Sequence, residues 1–546
     1  MQYMLKDTWI RYGSLLVLGF SIAWTLTALS LPLKYPFAND STGYIQEAEF
    51  LHAGQGLIRT TSLTQLPQMF APSAIFPPGY SLLVSVASNG GLSADVAALW
   101  VSRLFWVLTP LAVAFALAPL TNFARAAACG VLAALSPGVV ESGYMALTDV
   151  PFLVLVAFSL GLLARAQGMQ RWVPAMLVAG LLSGIAYALR NAGAALLVAI
   201  VGTYVLAALV RVCSVKQAIS HLVVWGLGVA CIVVPLLWRN HLLFGQAQPY
   251  HASEASFSYL HSLRIFLSGL FMELSGSKTI ALLAWDFKLL LLFGVPLAAW
   301  LLYLALVQFR RAVPEQRFTV LLFASYAVLA SIIVIIAQKR YGADGSVRYA
   351  MQSAWVMLGL AAYGLAGKKE IFLLLIALLL VGRAVHVNSD LQRESIIAEA
   401  FAVNPRFADA AAVLPGDWIL TNRIKYELAQ DDTLPSLLAR LPVDAVIVSN
   451  QNSFVQRLVR SRAIMHLELD SAANSMGFAT VAQIAAARAP GRPLYCLIVP
   501  TNRMFREPSA QDWGEQVAQT AAEKFDVIEQ HDNYLLLKLR DISGVH

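Results

Sequence analysis

Charged residues are scarce in this 546-residue chain: they occupy 13% of positions, whereas a soluble domain typically has about 25%. Apolar residues make up 58% of the chain, and the mean hydropathy is +0.64. This shortage of charge excludes an ordinary soluble protein and indicates an integral membrane protein. The net charge of +7 is therefore attributed to basic cytoplasmic loops, and no nucleic-acid partner is expected.

Cysteine and the common catalytic motifs are also scarce. The four cysteines include no Cys-x-x-Cys pair, so we predict neither a disulfide framework nor a metal cluster. The chain lacks a P-loop, a GxGxxG motif, an HExxH motif and a GxSxG motif. It shows no internal repeat and no low-complexity segment, so the sequence does not indicate a repeat protein or an enzyme of these motif classes.

Long apolar runs, in contrast, are abundant. A membrane-spanning helix needs about 20 apolar residues. Eleven segments are candidates, near 12–33, 94–118, 127–146, 149–166, 173–190, 192–211, 219–238, 279–307, 318–337, 349–366 and 371–387. The first is longer than the apolar core of a signal peptide, roughly 7–15 residues, so we expect it to be retained.

The basic residues predict how these spans are oriented. If the N-terminus is cytoplasmic, every inside loop carries Lys or Arg, as the positive-inside rule requires. Three long segments then lie outside: 34–93, 239–278 and everything after about 388. The sequence thus predicts a transmembrane domain over 1–387, with the outer loop 34–93 carrying surface helices.

From about residue 388 the composition changes, because charges become frequent and apolar runs shorten. "DWILTN", "DAVIVSN", "LYCLIVP" and "NYLLLKL" are typical of short buried strands. "LPSLLARL" and "GEQVAQTAAEKF" between them are typical of helices. This alternation predicts a soluble α/β domain over 388–546, which the topology places on the extracytoplasmic side.

The outer loop 34–93 contains two short predicted helices. In "STGYIQEAEFLHAG", Tyr44, Ala48 and Leu51 share one face, while Glu47 falls on another face and is expected to be solvated. Gly54 ends this helix, which is too short and polar to span and should lie at the membrane surface. The second helix is predicted in "FPPGYSLLVSVASNGG", between a Pro-Pro pair and a Gly-Gly pair.

Two aspartates stand where predicted outer helices begin. Asp40 joins the first span to the first surface helix, and Asp149 precedes Pro151 at the outer end of the fourth span. An Asp at a helix start is often only a cap. An ionisable group beside a span is costly, however, and marks a functional site more often than a loop charge does. Both interpretations remain open for each residue.

Basic and polar residues cluster at the predicted outer ends of several spans. They are Arg59, Arg190, Arg239, Asn240, Arg340, Arg348 and Tyr349. Arginine pairs bidentately with phosphate, and a nearby carboxylate can serve as a base. This combination suits a phosphate-bearing lipid, while ordinary solvated charge is the alternative for any single residue.

Five segments in this order resemble a known enzyme class. They are "NDSTGYIQEAEFLHAGQG", "FPPGYSLLVSVAS", "LTDVPFLVLVAFSLGLL", "GLLSGIAYALRNAGAALL" and "WRNHLLFGQAQP". Together they resemble the multispan glycosyltransferases of the GT-C fold, with protein mannosyltransferases and bacterial aminoarabinose transferases as the nearest kin. The resemblance covers roughly 12–250. It implies an α-helical polytopic protein of the bacterial cytoplasmic (inner) membrane.

The resemblance implies an inverting transfer of a sugar from a polyprenyl-phosphate donor to an acceptor hydroxyl at the outer face. The acceptor would be a lipid, a glycan or a protein. Asp40 would be the catalytic base, and Asp149 would position the acceptor or a metal. No cofactor is certain, and a divalent metal remains open.

The remaining site residues are assigned to two groups by the same resemblance. Those expected to bind the lipid phosphate are Arg239, Arg348, Arg59, Arg340 and Tyr349. Those expected to contact substrate are Tyr44, Glu47, Tyr80, Arg190 and Asn240. Cations placed in advance around the departing phosphate would stabilise its developing charge.

Two positions depart from the family pattern. Phe76 stands before the Pro-Pro pair, where the aminoarabinose branch has a Lys, and Ser41 follows Asp40, where protein mannosyltransferases have an acidic residue. The acceptor is therefore unassigned. Two other classes of protein remain as alternatives: a transporter or flippase of lipid-linked sugars, for which repeats and mid-membrane charges are expected, and a non-catalytic membrane scaffold.

Overall fold

The computed structural model describes residues 17, 19–23, 39–60, 70–72, 76–249, 258–276, 280, 288, 292, 294–341, 349–383, 433–449, 455, 464–466, 491–498, 525–531 and 534–540. Contacts divide the chain into two compact units. The first contains Met1–Leu31 and Ala74–Asp390, and the second contains Pro32–Ser73 and Leu391–His546. Residues 34–73 of the outer loop therefore belong to the unit that holds the C-terminal region.

The first unit is helical. Its helices are α2 (Gly79–Ser88), α3 (Ala94–Leu117), α4 (Phe123–Ala134), α5 (Pro137–Tyr144), α6 (Asp149–Ala166), α7 (Trp172–Leu189), α8 (Gly193–Leu209), α9 (Val215–Phe244), α10 (Tyr259–Ser275), α11 (Val295–Arg311), α12 (Pro314–Tyr341), α13 (Met351–Gly364) and α14 (369–383). Among the described residues, five helices are long and apolar enough to cross a membrane, namely α3, α6, α7, α9 and α12. Much of the predicted spans 12–33 and 279–307 lies outside the described residues, so the count of eleven stays a prediction.

The predicted span 127–146 is wrong as a single helix. α4 ends at Ala134, Ser136 is extended with ψ 144°, and α5 begins at Pro137. Proline is well suited to a first helical position, because its missing N–H has no helical acceptor there anyway. The carboxylate of Glu273 accepts a hydrogen bond from the Gly138 N–H, so a side chain of α10 stabilises the new helix start.

α10 itself lies in the segment 239–278 that the topology places outside the membrane. Its Phe266 and Leu270 pack against Ala354 of α13 and against Ala350, the residue just before that helix. At 17 residues, α10 is shorter than the roughly 20 expected of a span. The helix therefore gives no spanning signal, although tertiary contacts bury one of its faces in the helical unit.

α7 and α9 pack in close contact through glycine. A Cβ atom built on Gly180 would lie 2.1 Å from the carbonyl oxygen of Trp225, and one built on Gly228 would lie 2.4 Å from the α7 backbone. Further along, Ala188 packs against Leu236. Contacts thus advance in the same direction along both helices, so α7 and α9 are parallel and finish at the same end of the unit.

In the second unit, α1 (Asn39–His52) is followed by the antiparallel strands β1 (Ile58–Thr60) and β2 (Phe70–Pro72). Gly54 adopts a positive φ of 74° just after the helix, which confirms the predicted helix end. The expectation that Glu47 is solvated is wrong, because its exposure is 0%. Residues 41–48 are all buried, so α1 is enclosed on more sides than a two-faced surface helix would be.

The C-terminal part of the second unit contains a mixed sheet. The elements are α15 (Thr433–Arg440), β3 (Val446–Ser449), β4 (Ile464–His466), β5 (Leu494–Ile498), β6 (Phe525–His531) and β7 (Tyr534–Leu539), and the strand order is β4-β3-β5-β7-β6. β3 pairs in parallel with β4 and β5, whereas β7 pairs antiparallel with β5 and β6. Three predicted strands and the predicted helix "LPSLLARL" are confirmed. "DWILTN" and nearly all of "GEQVAQTAAEKF" lie outside the described residues.

A matched pair of glycines tests the contact between α7 and α9. Gly228→Ala places a methyl group against the α7 backbone, so we expect a loss of about 1–3 kcal/mol of stability. Gly226 lies on the same helix with nothing within 4 Å of its missing Cβ, so Gly226→Ala should be neutral or slightly stabilising. Thermal unfolding in detergent measures both. Equal melting temperatures would contradict the close contact.

Cys496 reports on the folding of the sheet. It is buried on β5, and burial raises the pKa of its thiol to about 12. At pH 8 only about one thiol in ten thousand is then ionised, so alkylation should be very slow until the unit unfolds. In an otherwise cysteine-free chain, Val443→Cys at a highly exposed loop position is the accessible control. Equal labelling rates of the two thiols in the native protein would show that β5 is not buried.

Candidate active site

The first unit holds an ion pair at the end where α6 begins and α7 finishes. Asp149 is the first residue of α6, and Arg190 immediately follows α7. The Arg190 guanidinium forms a salt bridge with the Asp149 carboxylate, and the side-chain exposures are 19% and 3%. The Asp149 carboxylate is thus buried against a cation whose other side remains partly accessible.

Neighbouring groups hold this pair in place. Arg190 Nη1 also lies 3.4 Å from the Thr148 hydroxyl, and its guanidinium lies over the Tyr349 ring, 5.3 Å from the centroid. Gln352 at the start of α13 donates from Nε2 to the Asp149 carbonyl oxygen at 3.2 Å. α6, α7 and α13 therefore meet at one cluster.

Tyr80 supports this cluster from α2. Its hydroxyl lies 2.8 Å from the Ala98 carbonyl oxygen and 2.7 Å from the Ser102 hydroxyl. Ser102 Oγ in turn lies 3.1 Å from the Leu147 carbonyl oxygen and 3.2 Å from its N–H. The segment that leads into Asp149 is thus anchored to α2 and α3 by fully buried hydroxyl groups, and the structure gives Tyr80 a supporting position. Substrate contact by Tyr80 stays a prediction.

Arg239 and Asn240 lie near the end of α9. Arg239 Nη1 donates to Asn240 Oδ1 at 3.2 Å, and Asn240 Nδ2 donates to the Ala247 carbonyl oxygen at 3.2 Å. Gly245, with φ 70°, ends the helix. Because α7 and α9 are parallel, Arg190 and Arg239 lie at the same end of the helical unit.

The second unit carries the other predicted carboxylate. Asp40 is in the first turn of α1 and is partly exposed. A negative charge there is favoured by the helix dipole, whatever further role it has. Tyr44 and Glu47 are buried in the same helix, so direct contact of these two residues with a substrate stays a prediction.

The other predicted cations are placed only in part. Arg59 lies on β1 and Arg340 on α12, and their side chains are outside the described residues, as is all of Arg348. Within the described part of the chain, no group of three or more His, Cys, Asp or Glu side chains could hold a metal ion. The Asp149 carboxylate forms a salt bridge with Arg190, and its predicted role in positioning the acceptor or a metal stays a prediction.

Several members of the cluster are not predicted from the sequence. Gln352 and Ser102 are ordinary polar residues within apolar helices, and only the tertiary structure brings them to Asp149. Thr148 does carry a local signal, because it immediately precedes Asp149 at a helix start.

A double-mutant cycle tests the ion pair. Asp149→Asn leaves Arg190 facing a neutral group in a largely buried site. We therefore expect a loss of about 2 kcal/mol of stability, below the fully buried case because Arg190 is partly exposed. Adding Arg190→Gln should cost less than it does in the wild type, with a coupling of about 1 kcal/mol or more. Thermal unfolding of the four proteins gives the coupling. Additive losses would show that the two charges do not interact.

Comparison with known proteins is consistent with this geometry. Residues 77–238, from the start of α2 almost to the end of α9, match the model of a family described as dolichyl-phosphate-mannose-protein mannosyltransferase. The match covers less than a third of the chain. No curated protein matches the sequence.

Solved structures match over almost the whole chain. ArnT from Cupriavidus metallidurans in the apo state is 14% identical with a TM-score of 0.54, covering 95% of this chain and 97% of ArnT. ArnT bound to undecaprenyl phosphate has the same identity and TM-score, covering 96% and 98%. The archaeal oligosaccharyltransferase AglB from Archaeoglobus fulgidus, in complex with an inhibitory peptide and a dolichol-phosphate, is 14% identical with a TM-score of 0.52, covering 96% and 73%. At this identity the likeness shows the fold: the chain shares the GT-C fold of these proteins, as its sequence predicts.

Proposed function

We propose that the protein is an inverting glycosyltransferase that moves a sugar from a polyprenyl-phosphate donor to an acceptor hydroxyl at the outer face of the cytoplasmic membrane. The observation that carries this proposal is the placement of Arg190 and Arg239 at one end of the parallel helices α7 and α9. Undecaprenyl phosphate bound to ArnT and dolichol-phosphate bound to AglB support a lipid phosphate as the ligand class.

Arg190 suits a phosphate for a physical reason. A guanidinium is planar and permanently charged, and its fork of N–H donors matches the oxygens of a phosphate. The Asp149 charge keeps the side chain in one orientation, so less conformational entropy is lost when the guanidinium binds an oxyanion. We assign Asp149 the role of positioning Arg190, and not the role of a base.

The electrostatic stabilisation that these cations provide increases as the reaction proceeds. The acceptor oxygen forms a bond to the anomeric carbon, while the bond from that carbon to the phosphate oxygen breaks and its electron pair leaves with the lipid phosphate. A phosphodiester thereby becomes a phosphomonoester with about one more negative charge. Arginines placed beforehand stabilise this developing charge more than the ground state, and such a difference accelerates the reaction.

Asp40 is our proposed base for the acceptor proton. This assignment rests on the position of Asp40 in the ordered motifs and on its partly exposed place in the first turn of α1. A carboxylate that takes the proton as the new bond forms contributes typically about 10²–10⁴-fold in rate.

Asp40→Asn removes the base while keeping the size of the side chain, so we expect transfer to fall by about 10²-fold or more. Asp95→Asn is the matched control, because Asp95 is likewise the second residue of its helix, α3, and should keep most of the activity. Reconstituted protein is incubated with a panel of radiolabelled polyprenyl-phosphate sugars and membrane acceptors, and sugar release or transfer is measured.

Two results would count against the proposal. Full activity of Asp40→Asn would remove Asp40 as the base while leaving the glycosyltransferase assignment in place. A donor that crosses the bilayer without being cleaved would favour the transporter alternative instead.

A further inference from the structure

A second polar site lies at the opposite end of the helical unit from Asp149 and Arg190. A cavity of about 340 Å³ opens where α6 finishes and where α7 and α9 begin, lined mainly by Gln167, Trp172, Ser214, Lys216, Ser220 and His221. α6 runs from Asp149 to this cavity, a distance of about 27 Å along the helix. The volume falls within the range of about 300–1,000 Å³ that is usual for small-molecule sites.

A hydrogen-bond network surrounds one ring nitrogen of His221, Nδ1. His221 is 2% exposed. Its Nδ1 lies 3.3 Å from Gln167 Nε2 and 3.2 Å from the Tyr204 hydroxyl, and Gln167 Nε2 also donates to that hydroxyl at 2.8 Å. An amide nitrogen can only donate, so we assign Nδ1 as the acceptor of this contact and place the proton of the neutral ring on Nε2.

The Nε2–H group is aimed at the cavity and has no hydrogen-bond partner among the described residues. The network occupies the opposite nitrogen of the ring, and the Trp172 ring, 4.3 Å away between centroids, restrains the imidazole. Because the atom faces the cavity while the rest of the ring is buried, a ligand oxygen in the cavity would accept from this donor.

The rest of the lining also favours an anion. α9 begins at Val215, and its first N–H groups have no helical acceptors and carry the positive end of the helix dipole. Ser214 Oγ accepts from the Gln217 N–H at 3.1 Å and so shapes this helix start. Lys216 adds a full positive charge, and the described lining residues include no acidic side chain.

The surface beside the cavity is apolar and exposed. Val215, Ile219, Val223 and Leu227 follow one another along α9 at spacings of four residues, and all four side chains are exposed. They form an exposed apolar stripe along the first half of the helix whose start lines the cavity, and acyl chains can lie along it. A soluble phosphate compound would make no use of this stripe.

We propose that this cavity binds the phosphate head group of a membrane phospholipid, with His221 Nε2–H, Lys216 and the start of α9 as donors and the exposed stripe of α9 against the acyl chains. The predicted topology assigns the site to the cytoplasmic leaflet. It is separate from the proposed donor site and does not depend on the glycosyltransferase assignment. The bound lipid would stabilise the first turns of α7 and α9.

Native mass spectrometry of the full-length protein in detergent tests the site, with phosphatidylglycerol as the probe. Lys216→Gln removes the exposed charge without touching the core, and we expect phosphatidylglycerol to bind about tenfold more weakly. Lys369→Gln is the matched control, because Lys369 is also an exposed lysine at this end of the unit but does not line the cavity. Its position follows from the nearby Leu365, whose carbonyl oxygen accepts a hydrogen bond from Arg125. His221→Phe removes the Nε2–H donor and should weaken binding similarly.

Two further probes separate the parts of the ligand. Diacylglycerol lacks the phosphate and glycerol 3-phosphate lacks the acyl chains, so both should bind much more weakly than phosphatidylglycerol. Equal binding of diacylglycerol, or equal losses in Lys216→Gln and Lys369→Gln, would overturn the phosphate site. Equal binding of glycerol 3-phosphate would overturn the lipid assignment in favour of a soluble phosphate.

Discussion

The close contact between α7 and α9 is the constraint on which both ends of the helical unit depend. Gly180 and Gly228 present no side chains, so the two backbones approach within van der Waals distance. Because α7 and α9 are parallel, their contact places the two helix starts side by side and the two helix ends side by side. It brings Arg190 and Arg239 to one end, and it brings the cavity residues of α7 and α9 together at the other.

In the helical unit, charged side chains form hydrogen bonds with backbone groups at helix ends as well as ion pairs with opposite charges. The carboxylate of Glu273 accepts from the Gly138 N–H in the first turn of α5, and Arg383 Nη2 donates to the carbonyl oxygens of Glu273 and Leu274 in the last turn of α10. These backbone groups lack partners within their own helices. In an apolar surrounding each would be costly alone, so helix breaks and buried charges stabilise one another.

Local signals in the sequence located many of the elements. Gly54 ends α1 with a positive φ, the Pro-Pro pair precedes α2, and apolar runs became β3, β5 and β7. Each signal depends on the conformation of a few neighbouring residues, so it survives in any tertiary context. The five ordered motifs predicted the GT-C fold for a similar reason. Their order along the chain gives the order of the structural elements and does not depend on tertiary contacts.

The remaining features of the structure depend on tertiary contacts between residues that are far apart in the chain. The packing of α10 and the burial of Glu47 come from distant partners, as do the contacts of Ser102 and Gln352 with the segment around Asp149. The break at Ser136 combines a local proline with the distant carboxylate of Glu273. By itself the sequence determined a membrane-embedded chain, its main helices and the carboxylates and arginines from which a site could be made. Only the tertiary structure decided that Asp149 neutralises Arg190, and that His221 presents a single N–H to a cavity. Hydrogen bonds and ion pairs require distances of a few ångströms between residues far apart in the chain, and no local pattern encodes those distances.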